Sequence, residues 1–475
     1  MALSPTRAPT IFGAGAAFLC VAALLIWWPG VAAFDTTEQY RQALTGVYDD
    51  WHPPVMAHLW AALLPLAPGA GPMLVVQMAL YWLGLGLIAA ALARSGRMLA
   101  GLAVLAIGAF PLFLGWQGVV LKDTQMLGAA LAAFGLVAWF RLAGERIPVA
   151  AIAAIVILLA YALLLRANAV FAIIPLAVML WPGAARPWLR GGAVILGTVA
   201  VLSVIPPINH QVFAARETKV SRTLPIYDLA GIAHFSGAGD AFLPEERMVI
   251  EQRRCYQPFF WDPFESRTHC AAIAERLNEL PRAEINRLWL SAIAHHPLAY
   301  AEHRLAHLNA TGRLIVPSGW MNAQPYEESE PNELDLGSPG TVADRLSDSA
   351  GRLAETPFGW PVAWIVIAAT GLWIALLRPV GPLRDLALAL AVSALSLEAS
   401  FAIVSIAADL RYHLWPMIAT ALMAVLLLAE RPVPRRPLII GGMALALVLL
   451  AGTTARIALP RAPADYSEML GYTGQ

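Results

Sequence analysis

Charged residues are scarce in this sequence. Only 13% of its 475 residues are Asp, Glu, Lys or Arg, whereas about a quarter is typical of soluble globular proteins. Hydrophobic residues make up 59%, and the mean hydropathy is +0.62. This composition excludes an ordinary soluble domain and predicts a polytopic membrane protein. The formal net charge is zero and no long basic run occurs, which argues against a nucleic-acid partner.

Several short motifs that identify well-known chemistries are also missing. The sequence has no P-loop, no G-x-S-x-G turn and no H-E-x-x-H zinc pattern. An ATP-driven pump, a standard serine hydrolase and a zinc protease are therefore disfavoured. His303 and His307 have the spacing that places two imidazoles on one helix face, but we interpret them as interfacial side chains rather than metal ligands.

Cysteine is rare, with three residues in the whole chain. Cys20 lies inside the first apolar run and is interpreted as a small core residue. Cys255 and Cys270 both lie in the one long polar segment, which the charge pattern below places outside the cytoplasm. A disulfide persists in such a compartment, so we predict a bridge between these two residues.

Eleven apolar runs approach the length of about 20 residues that spans a bilayer. These runs are 11–33, 73–93, 98–120, 124–140, 147–165, 169–182, 191–208, 358–377, 386–408, 412–429 and 438–459. The sixth is short for a span. No convincing cleavage site follows the first run, so we interpret it as a retained transmembrane helix rather than a signal peptide.

Positive residues in the short connections predict the orientation, because cytoplasmic connections carry an excess of Lys and Arg. The arginines concentrate in alternate connections: Arg7, Arg94, Arg97, Arg141, Arg146, Arg186, Arg190, Arg378, Arg384, Arg431, Arg435 and Arg436. Eleven spans with a cytoplasmic N-terminus satisfy this alternation throughout. Every unusual polar cluster then lies on the extracytoplasmic side, as expected for a protein of the inner (plasma) membrane.

The fold class predicted is an all-α polytopic membrane protein with three parts. Residues 1–208 form an N-terminal membrane domain with a first loop at 34–67, residues 209–357 form an extracytoplasmic segment, and residues 358–475 form the C-terminal membrane helices. An apolar stretch at 54–67, too short to span, predicts a juxtamembrane helix or the frayed end of the next span. Helical patterns in the polar segment fall at 244–254, 270–280, 282–294 and 297–311, and 324–348 is predicted to be a flexible loop.

The first loop is the strongest candidate for chemistry. It carries Asp35, Glu38, Asp49 and Asp50, followed by His52, directly after the first apolar run. Ionisable groups at a membrane boundary tend to be functional, and a carboxylate held there can act as a general base. The alternative is an acidic loop that only fixes topology.

Three cations, Lys122, Arg166 and Arg411, are predicted at the same boundary. Each stands near a polar residue in the sequence, respectively Asp123, Asn168 and Asp409. Buried cations are unfavourable unless they meet an anion, and a lipid phosphate would satisfy all three. Internal ion pairs, such as Lys122 with Asp123, are the alternative. Glu398, in the middle of the ninth run, is interpreted as a structural partner of such a charge.

In this order, these residues resemble the GT-C superfamily of polyprenyl-phosphate-dependent membrane glycosyltransferases, most closely the aminoarabinose transferase and protein O-mannosyltransferase branch. The resemblance is carried by Asp35 with Tyr40, Ala43 and Gly46; by Asp50-Trp51 before His52-Pro53-Pro54 and Trp60; by Asp123; by Arg166-Ala167-Asn168; and by Arg411-Tyr412 with Pro416. Two departures are visible. Thr36 stands where many members have Glu, and residues 209–357 match no known pattern.

The resemblance implies transfer of a sugar from a polyprenyl-phosphate donor to a hydroxyl acceptor, a lipid, glycan or protein, with inversion. The implied catalytic residues are Asp35, as base, with Glu38 or Asp123 as the second acid. The implied donor phosphate-binding residues are Lys122, Arg166, Arg411 and Tyr412. The residues implied for acceptor or loop positioning are Asp49, Asp50, His52, Asn168 and His413. No cofactor is indicated with certainty, and a divalent metal ion stays possible without a metal site in the sequence.

Two other classes share much of this pattern. A secondary transporter or lipid flippase also has many spans and buried charge, but it usually shows repeat symmetry and broken helices, neither of which is visible in the sequence. A non-catalytic envelope assembly protein is the other alternative. Consumption of a polyprenyl-phosphate sugar distinguishes the glycosyltransferase from both.

Overall fold

The computed structural model of the chain describes residues 7–181, 186–239, 241–266, 268–430 and 432–471. Within these residues the chain forms helices and a few isolated bridge pairs, and no extended strand. The predicted all-α class is confirmed at this level. Two predicted features lie outside the described residues, namely Arg431 and the residue Pro182 that ends the sixth predicted span.

The helices fall into two membrane blocks separated by a polar segment, here residues 209–357. The first block contains α1 (Ala8–Trp27), α2 (Phe34–Thr45), α3 (Val55–Leu63), α4 (Gly71–Arg94), α5 (Met98–Gly108), α6 (Pro111–Gly118), α7 (Lys122–Leu142), α8 (Val149–Leu165), α9 (Val170–Leu180) and α10 (Pro187–Pro207). The polar segment contains α11 (Thr223–Ser236), α12 (Pro244–Gln252), α13 (Ala271–Glu279), α14 (Arg282–His295), α15 (Pro297–Gly312) and α16 (Thr341–Ala354). The second block contains α17 (Pro361–Leu377), α18 (Pro382–Val404), α19 (Leu414–Leu428) and α20 (Arg435–Ala458), and the short α21 (Tyr466–Met469) follows.

The chain is a multi-pass membrane protein. Among the described residues, seven helices are long and apolar enough to cross a bilayer, or eight if α5 and α6, which are bent by 48°, form one broken span. Three further apolar helices, of 10–17 residues, coincide with the fifth, sixth and eighth predicted runs. Since a helix rises about 1.5 Å per residue and the hydrocarbon is about 30 Å thick, these three are short for spans. The count of eleven therefore stays a prediction.

The centre of the first block is a close crossing of α4 and α7. A Cβ atom on Gly84 would lie only 2.4 Å from the carbonyl carbon of Leu131, and one on Gly135 would lie 2.6 Å from the carbonyl oxygen of Gly84. Small residues at such crossings let membrane helices pack backbone to backbone. The crossing holds α7 in place, and the first residue of α7 is Lys122.

The predicted first loop is partly helical. Its first twelve residues form α2, which starts at Phe34 and ends where Gly46 adopts a left-handed conformation (φ 66°). The Thr36 hydroxyl accepts a hydrogen bond from the Ala33 amide (3.0 Å) and donates one to the Val120 carbonyl (2.7 Å), which ties the first turn to the start of α7. The sequence did not predict this helix, which depends on these tertiary contacts. Helix α3 lies within the predicted juxtamembrane stretch.

In the polar segment, the four predicted helices are confirmed as α12 to α15. The disulfide predicted between Cys255 and Cys270 is also present, and it links the chain after α12 to the residue before α13. Two helices, α11 and α16, were not predicted, and the flexible loop expected at 324–348 is wrong from Thr341 onward. Helix α16 is stabilised by packing on α6, where Ala350 lies against Gly115.

Candidate functional site

Four side chains form a buried charged group, the Asp35 cluster, which consists of Asp35, His52, Lys122 and Arg411. Asp35 Oδ2 accepts hydrogen bonds from Lys122 Nζ at 2.7 Å and from Arg411 Nη1 at 3.1 Å. Lys122 Nζ also lies 2.9 Å from His52 Nδ1. The side chains of Asp35, Lys122 and Arg411 are 12–15% exposed, so this is a nearly dry site that still has an opening.

The four members of the cluster come from three parts of the chain, since Asp35 and His52 both lie in the first connection. Asp35 lies in the first turn of α2, and Lys122 opens α7, 87 positions later. Arg411 is 376 positions from Asp35 and lies in the short turn Leu410–His413 that leads into α19. The fold therefore assembles the site from the first connection and both membrane blocks.

The electrostatics of the cluster favour an ionised Asp35. Burial by itself would raise the pKa of this carboxyl, but the Lys122 ammonium and the Arg411 guanidinium outweigh it and hold the pKa well below its usual value. Burial, and then the Lys122 charge, lower the pKa of His52 to about 3, so its imidazole is neutral. A neutral His52 accepts the Lys122 hydrogen bond at Nδ1, which leaves Nε2 3.9 Å from Asp35 Oδ1. This separation is too long for a hydrogen bond.

An aromatic ring supports the two arginines next to the cluster. The guanidinium carbon of Arg166 lies 4.1 Å from the ring centroid of Tyr412, and that of Arg411 lies 5.3 Å from it. Arg411 also makes a 3.1 Å contact with Asp409. Cation–π contacts of this kind are favourable when they are shielded from water. Tyr412 thus keeps Arg166 and Arg411 beside each other although their charges repel.

Two of the implied catalytic acids do not contact Asp35. Asp123 is 2% exposed and forms an ion pair with Arg166, which also donates to Asn168 Oδ1 at 3.0 Å. Glu38 is more exposed and pairs with Arg41 on the same face of α2. Lys122 pairs with Asp35, and the alternative Lys122–Asp123 ion pair is not found among the described contacts.

Asp49 and Asp50 fasten the first connection to the polar segment. Asp50 Oδ1 accepts hydrogen bonds from the amide and hydroxyl of Thr218 at 2.7 and 2.6 Å. Asp49 Oδ1 accepts from the Trp51 amide at 3.1 Å, and the Asp49 backbone pairs with Arg216. Both acids therefore shape the connection that carries His52.

His413 and Glu398 form a buried pair just behind Arg411. His413 Nδ1 lies 2.9 and 3.0 Å from the two Glu398 oxygens, and its Nε2 lies 2.9 Å from the Thr311 hydroxyl. Glu398 is thus bonded to a histidine, whereas the sequence suggested an arginine. The pair anchors the Leu410–His413 turn to α18 and α15.

The polar segment is hydrogen-bonded at three places to residues that flank the site. Arg304 donates to the Ser405 carbonyl at 2.7 Å, and the Leu410 amide donates to the Asn322 carbonyl at 2.9 Å. Near Asp35, the Ala32 amide donates to the Ser329 hydroxyl at 2.8 Å. The segment is therefore part of the site's framework.

Sequence reasoning missed some groups near the cluster. Asp262 has a pKa raised to about 7, first by burial and then by the charges of Glu265 and Asp409, and it accepts a hydrogen bond from the Tyr466 hydroxyl at 3.1 Å. A cavity of about 380 Å³ lies next to Arg411, and Trp116 forms part of its wall. No sequence pattern connects these residues to Asp35, because they meet only in the folded chain.

A second buried carboxylate, Asp228, lies inside the polar segment. It accepts hydrogen bonds from Trp289 Nε1 at 2.8 Å and from His303 Nε2 at 3.0 Å, and it forms an ion pair with Arg304. Asp228 and His303 are fully buried, and so is His307, one turn further along α15. The prediction of interfacial placement was therefore wrong for both histidines.

One group of described side chains has the spacing of metal ligands, and it consists of Cys255, His269 and Cys270. Its two sulfur atoms are joined in the disulfide, so it offers no thiolate ligands.

No protein-family description, curated protein or solved structure matches this chain. The site must accordingly be interpreted from its own geometry.

Proposed function

We propose that the protein is a membrane glycosyltransferase that moves a sugar from a polyprenyl-phosphate donor to a hydroxyl acceptor, with Asp35 as the general base. The observation that carries the proposal is the Asp35 cluster, in which one carboxylate binds two cations, Lys122 and Arg411, from distant parts of the chain. Lys122 and Arg411 supply the charge and the donors that a phosphate diester requires. Arg166 and Tyr412 complete this binding surface from the side.

The proton-accepting atom in this proposal is Asp35 Oδ1. Oδ2 is occupied by Lys122 and Arg411, whereas no hydrogen bond to Oδ1 is found among the described residues, and His52 Nε2 lies 3.9 Å from it. An acceptor hydroxyl can therefore donate its hydrogen to Oδ1. General bases of this kind contribute about 10²–10⁴-fold to rate.

Donor binding would also activate the base. A carboxylate whose pKa is held well below its usual value is a weak base, and Lys122 and Arg411 are the cause. When the donor phosphate takes part of their charge, the pKa of Asp35 rises toward its ordinary range. Proton transfer thereby becomes more favourable only once the donor is in place.

The reaction follows from these positions. The acceptor oxygen attacks the anomeric carbon while its proton passes to Asp35. The bond between that carbon and the phosphate oxygen breaks, and polyprenyl phosphate leaves with the electron pair, stabilised by Lys122 and Arg411. The energy comes from the activated donor, so no nucleotide site is needed.

The alternating arginines support an extracytoplasmic location for this site in the inner (plasma) membrane. A reporter that is active only in the cytoplasm should work when fused after Arg97 and fail when fused near Gly239. Activity at Gly239 would contradict this orientation.

The function is tested with purified protein in lipid nanodiscs. Undecaprenyl phosphate carrying a radiolabelled sugar is added with a membrane extract as a source of acceptors, and release of undecaprenyl phosphate is followed. A glycosyltransferase consumes the donor and labels an acceptor. A flippase or transporter would move the donor between leaflets of a liposome without consuming it, and an assembly protein would do neither.

A further inference from the structure

The cavity beside Arg411 is lined by aromatic and amide side chains, which the Asp35 cluster lacks. It has a volume of about 380 Å³, a size typical of small-ligand sites, and Arg411 and Asp409 form one of its walls. Trp116 of α6 and Tyr326 of the polar segment contribute aromatic surface, with ring centroids 6.5 Å apart. Arg411 contacts Asp35 directly, so the cavity begins one side chain away from the proposed base.

The charges that line the cavity exclude an anion. Glu327 and Asp409 supply two carboxylates, and the single lining cation, Arg411, already contacts both Asp409 and Asp35. A phosphate would therefore be repelled here, whereas Lys122 and the other face of Arg411 suit it. The ligand of the cavity is uncharged or positively charged.

Trp116 contributes a buried indole to the wall of this cavity. Trp116 is 2% exposed, and its indole Nε1 has no hydrogen-bond partner among the described residues. Buried indole N–H groups usually find an acceptor, because an unpaired buried donor is unfavourable. The nitrogen itself is covered by protein atoms, so Trp116 offers a ligand its ring rather than its N–H.

Two amide side chains add donors and acceptors to the same wall. Asn322 and Gln324 line the cavity, and in the described part of the chain their side chains make no hydrogen bond. Asn322 adopts the left-handed conformation (φ 56°), and its carbonyl accepts the Leu410 amide at 2.9 Å. This bond holds the amide next to the turn that carries Arg411.

We propose that this cavity receives the sugar ring of the donor and selects a sugar without negative charge. The inference rests on the proposed function, because it places the sugar beside the phosphate held by Lys122 and Arg411. A sugar ring has apolar C–H faces that suit Trp116 and Tyr326. Its hydroxyl groups both donate and accept, as do the amides of Asn322 and Gln324.

The test compares donors that differ only in the sugar. Binding to the full-length protein in nanodiscs is measured for undecaprenyl phosphate alone and for undecaprenyl phosphate carrying mannose, 4-amino-4-deoxyarabinose or galacturonic acid. We expect mannose or the amino sugar to improve binding by at least 10-fold over the bare lipid. The anionic galacturonic acid should give no improvement.

Two variants connect that preference to the cavity. Trp116→Leu removes the aromatic wall but keeps a large apolar side chain, and Gln324→Ala removes an exposed amide, so both should fold. Each should weaken binding of the preferred donor by roughly 2- to 10-fold, the worth of one ring contact or one hydrogen bond, and leave bare undecaprenyl phosphate unchanged. Trp82→Leu is the matched control, because Trp82 is also 2% exposed but does not line the cavity.

The outcomes separate the two proposals. If the wild-type protein shows no sugar preference, prefers galacturonic acid, or keeps its preference in both variants, the cavity is not the sugar site, although the proposed function stands. If the variants weaken bare lipid and sugar donor equally, the inference also fails. If neither bare lipid nor any sugar donor binds, the proposed function itself is overturned.

Discussion

Asp35 and Asp228 are both carboxylates bonded to an arginine with a histidine nearby, yet their surroundings differ. Asp228 is fully buried, and its two oxygens accept from Trp289, His303 and Arg304, all within the polar segment. Asp35 is partly exposed, and no hydrogen bond to its Oδ1 is found among the described residues. A saturated carboxylate can only stabilise the fold, whereas an unsaturated one beside a cavity can still accept a proton. This contrast separates a structural acid from a catalytic one.

Replacing Asp35 gives the largest expected effect. Asp35→Asn keeps the size of the side chain but removes the proton acceptor, so single-turnover release of undecaprenyl phosphate should slow by roughly 10²–10⁴-fold. Donor binding should not weaken, because Lys122 and Arg411 keep their charge and lose a competing carboxylate. Asp262→Asn is the control, since Asp262 titrates near neutral pH and lies outside the cluster, and we expect it to retain more activity. A near wild-type rate for Asp35→Asn would contradict the role of this residue.

Replacing Asp228 should lower the stability of the protein and leave its transfer rate unchanged. Asp228→Asn leaves the guanidinium of Arg304 buried without its counter-charge, and breaking such a pair typically costs about 3–5 kcal/mol of stability. Thermal unfolding of the purified protein, followed by tryptophan fluorescence, measures the loss. The fraction that stays folded should transfer sugar at the wild-type rate. Unchanged stability with lost activity would reverse the assignment of the two carboxylates.

The contacts of Arg411 distinguish a phosphate site from a structural ion pair. Arg411→Ala should weaken binding of undecaprenyl phosphate by about 1.5–3 kcal/mol, which is the worth of a charge-assisted hydrogen bond. Arg41→Ala removes an exposed arginine from α2 and should leave binding unchanged. If Arg411→Ala protein is monodisperse and binds the lipid as tightly as wild type, Arg411 serves only to neutralise Asp35.

Acidification should lower the stability of the protein through one buried histidine in the Asp35 cluster and one in the polar segment. This is the smallest of the expected effects. The pKa values of His52 and His307 are each lowered to about 3, in both cases mainly by burial. For His307 the charge of Arg304 is the second cause, and His303 and His413 also act on it. Because the unfolded chain binds a proton near pH 6.5, each histidine makes stability fall as the pH drops from about 6.5 toward 3.

The expected size of this loss is about 1 kcal/mol per histidine between pH 6.5 and pH 5.5. His52→Gln and His307→Gln should each remove that part of the pH dependence of thermal unfolding. His295→Gln changes an exposed histidine and should leave it as it is. An unaltered pH dependence in both buried variants would show that neither histidine is kept neutral by the fold.

The sequence predicted the apolar helices of both membrane blocks, because the bilayer imposes long apolar runs. It also identified Asp35, Lys122 and Arg411, since charge at a membrane boundary is unfavourable without a purpose. Their partners could not be predicted. Lys122 bonds to Asp35 rather than to its neighbour Asp123, because the direction of a side chain depends on how α2 and α7 pack.

Other features could not be predicted, because they depend on contacts between residues that are far apart in the chain. Helix α16 was hidden in an acidic, glycine-rich stretch, and it forms where its apolar face meets α6. The unpaired indole of Trp116 and the raised pKa of Asp262 result from burial, which no local pattern in the sequence encodes. Fold class was therefore accessible from sequence, whereas the inner geometry of the site was not.

The separation of 376 positions between Asp35 and Arg411 also has a consequence for synthesis. At about 5–20 residues per second, a ribosome that has made Asp35 needs on the order of 20–75 seconds to reach Arg411. During that time the carboxylate has Lys122 as its only strong counter-charge from the cluster, and the cavity beside it lacks one wall. A nascent chain that stops before the Leu410–His413 turn thus leaves Asp35 with one of its two cations.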